Sequence, residues 1–213
     1  MPHNEKRRQA SLQRQASKRK AKTSSAVVSS SGGGNSRRNA LAAMSWPIHE
    51  CLLSASWQQE GQLIQAVVAR RGPQGVIVAG VFLIDLGCLG VKSAFARRFA
   101  SVAEYEYDLR DALTEQQLLL PAELNVIARI VQEGIIYARG LGFDPRHDYT
   151  EVAPILNGAA PETCTLHIPL GVNGKPLYVS GPNDNPRKVV ATLDKTVGPG
   201  NYDYVVGLGF AGD

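Results

Sequence analysis

Two carboxylates, a thiol and an imidazole in this chain are of types and in settings that chemistry could use. Asp85 ends the apolar run VIVAGVFLIDL, three residues before Cys88 in the turn DLGCLG. A carboxylate leaving a buried strand can serve as a general base or a metal ligand. A thiol becomes a nucleophile where a nearby cation or helix N-terminus stabilises its thiolate, and Lys92 is close enough in sequence to do so. The competing structural reading makes Asp85 the acceptor of backbone N–H groups in the following turn and Cys88 a small buried hydrophobe. In GFDPRHDY, Arg146, His147 and Asp148 place a cation, an imidazole and a carboxylate together on a loop. A histidine side chain such as His147 can act as acid, base or ligand, and loops on rigid scaffolds carry such sites. Its structural reading is that Asp144 or Asp148 caps the next helix while His147 is solvated.

A third group lies in GKPLYVSGPNDNP, with Lys175, Tyr178, Ser180, Asn183 and Asp184 around Gly181 and Pro182. Backbone N–H groups where this stretch enters a helix could hold an anion, although Asp184 and the missing proline donor oppose it. Turn chemistry alone accounts for the Gly, Pro, Asn and Asp. No metal site is read. Cys164 and His167 are three apart, a spacing that points them to opposite faces of a strand, and His49 lacks the second helical histidine of a zinc protease. The spacing of a phosphate loop or a dinucleotide fingerprint is absent, so no cofactor is expected.

The elements that position these residues read as an α+β order, β-β-β-α-α-α-β-β-α-β. IHECLLSASW, GQLIQAVVARR and VIVAGVFLIDL form an antiparallel three-stranded meander. Central helices follow. VAEYEYDLRDALTEQQLLL has Tyr105, Leu109 and Leu113 on one face. PAELNVIARIVQEGIIYARGLG has Pro121 in its first turn, Leu124, Ile127, Val131 and Ile135 at helical spacing, and Gly140 or Gly142 as its left-handed cap. A short helix runs through YTEVAPIL. Then come a β-hairpin around GVNG, a helix capped by Asn185 with Pro186 at its first position, and a final strand in NYDYVVGLGF.

Charge divides the chain. The net +4 of its 213 residues hides ten Lys and Arg against the single acid Glu5 in residues 1–38, and thirteen against eighteen acids in residues 39–213. Residues 1–45 read as a disordered basic arm with a Gly/Ser linker, and residues 46–213 as one α+β domain. Lys6, Arg7, Arg8, Arg14, Lys18, Arg19, Lys20 and Lys22 are the candidate nucleic-acid-binding residues. Each can displace condensed counterions from a phosphate, and with no aromatic residue among them the contact is phosphate-directed rather than base-specific. The same arm could instead serve as a solubility tail.

The leader has no apolar core of the kind a secretory signal needs. No apolar stretch reaches membrane-helix length, so no membrane partner is expected. Three widely spaced cysteines, Cys51, Cys88 and Cys164, fit a reducing compartment, and the protein is expected in the cytoplasm. The segments PIHECLLSASW, GVFLIDLGCLGVK, YARGLGFDPRHDY, GKPLYVSGPNDNPRKV and TVGPGNYDYVVG together resemble a family of bacterial proteins of unassigned function, also with a Lys/Arg-rich leader. That resemblance implies a bacterial cytoplasmic setting and transfers no site residues. Three functions remain open. The first is RNA or ribonucleoprotein binding through the arm. The second is a hydrolase-like enzyme using Asp85 and Cys88 with His147, Asp148 or Asp184, which requires them to converge in one pocket. The third is a protein-interaction module.

Overall fold

The computed structural model describes residues 33–205, so the eight candidate cations from Lys6 to Lys22 and the end of the expected final strand lie outside the described residues. The fold is α+β. Its centre is a five-stranded antiparallel sheet in the order β4-β3-β2-β1-β5. The expected meander is present as β1 (Ile48–Ser54), β2 (Leu63–Arg71) and β3 (Ile77–Asp85). Two further strands join it, β4 (Gly90–Phe99) beside β3 and β5 (Leu119–Pro121) beside β1. β4 hides in the sequence because its register with β3 shifts between Leu83 and Ile84. The shift lets Val91, Ala94 and Ala96 face one side although they do not strictly alternate.

Both faces of the sheet are covered. Helix α1 (Gly33–Ala43), α3 (Leu124–Gly140) and α4 (His147–Val152) pack on the face carrying Ile64, Ala66 and Val68. The opposite face, with Val67, Ala69 and Val81, receives the helical run 102–116, here α2. There Tyr105, Leu109 and Leu113 are buried together, as their spacing predicts. α2 opens as Val102–Tyr105, passes through a π turn at Glu106–Asp111 and closes as Ala112–Gln116. Its expected continuation through LLL instead becomes the approach to β5 and the start of that strand. Pro121, expected in the first turn of α3, has no N–H to give and sits in this short edge strand, while α3 starts at Leu124. Gly142, at φ 87, ends α3 as a left-handed cap, and Phe143 N–H reaches back to the Ala138 carbonyl at 2.9 Å. Where α3 crosses the start of β4, Gly90 and Gly134 are in close approach. A Cβ on Gly90 would stand 2.6 Å from the Gly134 carbonyl oxygen.

The ordered body begins earlier than position 46. α1 lies in the stretch expected as linker and arm, because Ser36, Ala40 and Ala43 form a narrow stripe of small residues that fits closely against β4 and α4. The Ser36 hydroxyl accepts from Ala96 N–H at 3.2 Å, and Asn39 Nδ2 donates to the Ala96 carbonyl at 3.1 Å. These two side chains occupy outward backbone groups of an edge strand that would otherwise be open to pairing.

The hairpin expected around GVNG is present only as its turn. Asn173 and Gly174 take φ of 51° and 73°, and Val172 and Lys175 bridge. The following strand, β6 (Leu177–Val179), pairs in parallel with β7 (Asp203–Val205), with helix α5 (Pro186–Thr196) as the crossover. Residues 164–170 do not pair with it. Their Pro169 offers no donor, and the backbone on either side of the turn bonds elsewhere: Gly171 N–H reaches the Leu86 carbonyl at 2.8 Å and Leu177 N–H the Gly87 carbonyl at 2.9 Å. α5 is capped as expected, Asn185 Oδ1 accepting from Lys188 N–H at 3.1 Å.

Arg70, only 4% exposed, ties the α1 face together. Its guanidinium donates to the carbonyls of Ile155 at 2.8 Å, Trp46 at 2.6 Å and Asn157. Substituting Arg70→Met leaves three acceptors without this donor and should lower the unfolding free energy by about 2–4 kcal/mol in urea titrations. The exposed Arg98→Met should change it by less than about 0.5 kcal/mol. A comparable small effect at Arg70 would show that the carbonyls readily find other partners.

Candidate functional site

The end of β3 is where the sequence candidates meet the C-terminal unit. Asp85 is fully buried, and its Oδ1 accepts from Gly87 N–H at 2.8 Å and Cys88 N–H at 3.2 Å. It organises the β3–β4 turn as Asp residues do at strand exits. The Leu86 and Gly87 carbonyls of that turn receive the N–H groups of Gly171 and Leu177, so β6 is laid against the turn. Cys88, also fully buried, joins Leu141, Tyr178, Leu193 and Tyr202 in a small core beneath α5.

Lys92, which the sequence offers as a cation for Cys88, is committed to another group. Its Nζ stands 2.6 Å from Asp184 Oδ2, which also accepts from Gly181 N–H at 2.7 Å. Both side chains of this pair are 11% exposed. The anion at the approach to α5 is therefore supplied from within the chain. Burial first, then the Asp184 carboxylate and the Cys88 and Asp85 groups, holds the Tyr178 phenol well above its ordinary range. Tyr137 is raised in the same way, by burial and then by Cys88 and Asp85. The cluster thus unites Asp85, Cys88, Lys92, Tyr137, Tyr178 and Asp184. It is a closed joint of neutral phenols, a capping carboxylate and one ion pair, and its Asp85 and Cys88 are sealed from solvent.

His147 and Asp148 stand apart from this joint. The His147 side chain is 87% exposed, with Nδ1 3.8 Å from Glu151 Oε1, and Asp148 Oδ2 lies 4.0 Å from Arg146 Nε. Neither Asp144 nor Asp148 caps α4. Its N-cap position is Arg146, without a side-chain capping bond, and Asp144 instead pairs with Arg139 at 3.2 Å. An exposed imidazole and a fully buried Asp85 and Cys88 do not make the single reactive pocket that the hydrolase reading requires. Among the described residues no group of three or more His, Cys, Asp or Glu side chains is placed to hold a metal ion. No helix among them is long and apolar enough to cross a membrane.

The chain matches no protein-family model, no curated protein and no solved structure.

Three features escaped the sequence reading. Burial, and then Glu50, raises the Tyr105 phenol. Glu50 comes to it through a bulge after Ile48, and the His49 ring meets Tyr105 edge-on at 6.1 Å. Burial alone would lower Arg110 on the π turn, but Asp111, Glu106 and Glu50 outweigh it and raise it. A bulge and a π turn have no short sequence signal. The second feature is Arg70, whose acceptors are backbone carbonyls and so leave no complementary residue type to find. The third is on α1. Arg37 and Arg38 are exposed on that helix and make no ion pair among the described residues. The signal for it was present, in the spacing of Ser36, Ala40 and Ala43.

All three cysteines are free thiols, and burial pushes Cys51 up to about 11. Native protein should therefore react first at the half-buried Cys164, and at Cys51 and Cys88 only after denaturant is added. Mapping a thiol-reagent adduct by mass spectrometry tests this. Labelling of Cys88 as fast as Cys164 under native conditions would show that the joint opens and restore Cys88 as a nucleophile.

Proposed function

We propose that this protein binds RNA or a ribonucleoprotein through its Lys/Arg-rich leader, without sequence specificity, and that the α+β body anchors the leader. The single observation that supports this reading is electrostatic. The last two cations of the basic segment, Arg37 and Arg38, are displayed on α1 with no acid of the described body drawn up to them. The reading also rests on the segregation of charge along the chain, with eight more cations between Lys6 and Lys22 and an excess of acids after residue 38. Polycations of this kind gain affinity by releasing counterions from phosphates, and the gain falls as salt rises. The setting we assign is a bacterial cytoplasm, in keeping with three free thiols.

Fluorescence anisotropy of a labelled 20-nucleotide U-tract tests the proposal. With the intact chain, log K should fall against log salt, the leader contributing a slope of about −6, as expected for eight phosphate contacts on a single strand. Replacing the eight leader cations with Gln should remove most of that slope and weaken binding by at least about 1,000-fold at low salt. Unchanged affinity in that variant would rule the leader out.

A further inference from the structure

We infer that the phosphate-binding surface continues from the leader onto the folded body, where Arg37, Arg38 and Arg98 form a fixed cationic edge for a nucleic-acid backbone. This inference rests on the leader reading and names the part of the body that shares its ligand. Ser36 and Asn39 are the two residues that grip the Ala96 backbone on β4, and Arg37 and Arg38 lie between them in sequence. The helix exposes both arginines while Ser36, Ala40 and Ala43 face the sheet. Arg98 is exposed two residues beyond Ala96 on the same strand. Ala94 and Ala96 belong to the core on the α1 face, so strand alternation puts Arg98 on that face too. Two strand residues span only about 7 Å, so Arg98 sits beside the point where α1 is clamped.

Competition from acids separates these three from their neighbours. Arg97, on the opposite face, is held by Asp108 at 2.8 Å and lies over the Phe99 ring at 4.7 Å. Arg110, Arg129, Arg139 and Arg146 each have a carboxylate partner. Arg37, Arg38 and Arg98 have none among the described residues. Arginine's planar fork of donors matches a phosphate in two bonds at once. A cation already fixed on a clamped helix and strand loses less freedom on binding than one on a free chain. A strand held by the leader is therefore delivered to an edge that is already assembled.

The test uses the full-length chain, the same U-tract probe and the variant Arg37→Gln/Arg38→Gln/Arg98→Gln. Affinity should fall about 10- to 100-fold near 0.1 M salt, and the salt slope should shrink by about 2, as for three lost phosphate contacts. The thermal midpoint should stay unchanged, since all three side chains are exposed. Arg37→Lys/Arg38→Lys/Arg98→Lys should keep the slope, because it keeps the charge. A Gln variant with wild-type affinity and slope overturns the edge while leaving the leader reading intact. Full binding by the variant lacking the eight leader cations overturns the leader reading instead, so the two failures are distinct.

Discussion

One buried guanidinium holds the architecture in register. Arg70 lies near the end of the central strand β2 and is buried, where a charge without partners would be costly. Burial pulls it below its ordinary value, with the neighbouring Cys51 thiol acting the other way. It is satisfied by three backbone carbonyls rather than by a carboxylate. Those carbonyls come from the chain leaving α1 and from the turn that follows α4, two segments far apart in sequence. Asn157 reinforces the same junction by donating from Nδ2 to the Met44 carbonyl at 3.1 Å. Because guanidinium geometry is fixed, its three bonds constrain how the exit of α1, the sheet and the turn at 155–157 meet.

The strand β4 carries the consequences to both ends of the molecule. Near one end its Ala96 backbone is closed by Ser36 and Asn39 of α1. Near the other, Lys92 reaches Asp184 and so fastens the approach to α5. An edge strand is ordinarily a liability in a sheet. Here the same strand receives the N-terminal helix and the C-terminal unit, and both attachments use polar side chains. The Asp85 turn completes the second attachment by presenting two carbonyls to the β6 segment. The Asp85, Lys92 and Asp184 side chains of that region are thus consumed in assembly.

Much of the framework was legible from residue patterns. The three-strand meander, the helical face of Tyr105, Leu109 and Leu113, the Asn185 cap and the left-handed Gly142 all follow from local rules that need no partner. What was illegible depends on contacts distant in sequence. β4 was concealed by a register shift, β5 by the polar lead-in and proline around it, and α1 by the smallness of its buried stripe. The GVNG turn was read rightly and its strands wrongly, since turn chemistry is local whereas the choice of β7 over residues 164–170 as the partner of β6 is made across the fold.

The sequence by itself determined the α+β class, the ends of α5, the C-terminal cap of α3 and the division of charge, because periodicity, capping and composition act over a few residues at a time. Only the tertiary structure decided which charged groups were spent. Asp85 went to a turn, Lys92 to Asp184 and Arg70 to three carbonyls, while Arg37, Arg38 and Arg98 stay exposed with no carboxylate partner among the described residues. A side chain's type states what it can bind. What it does bind is set by which partners the packed chain brings within about 3 Å of it and by how much water it excludes around them.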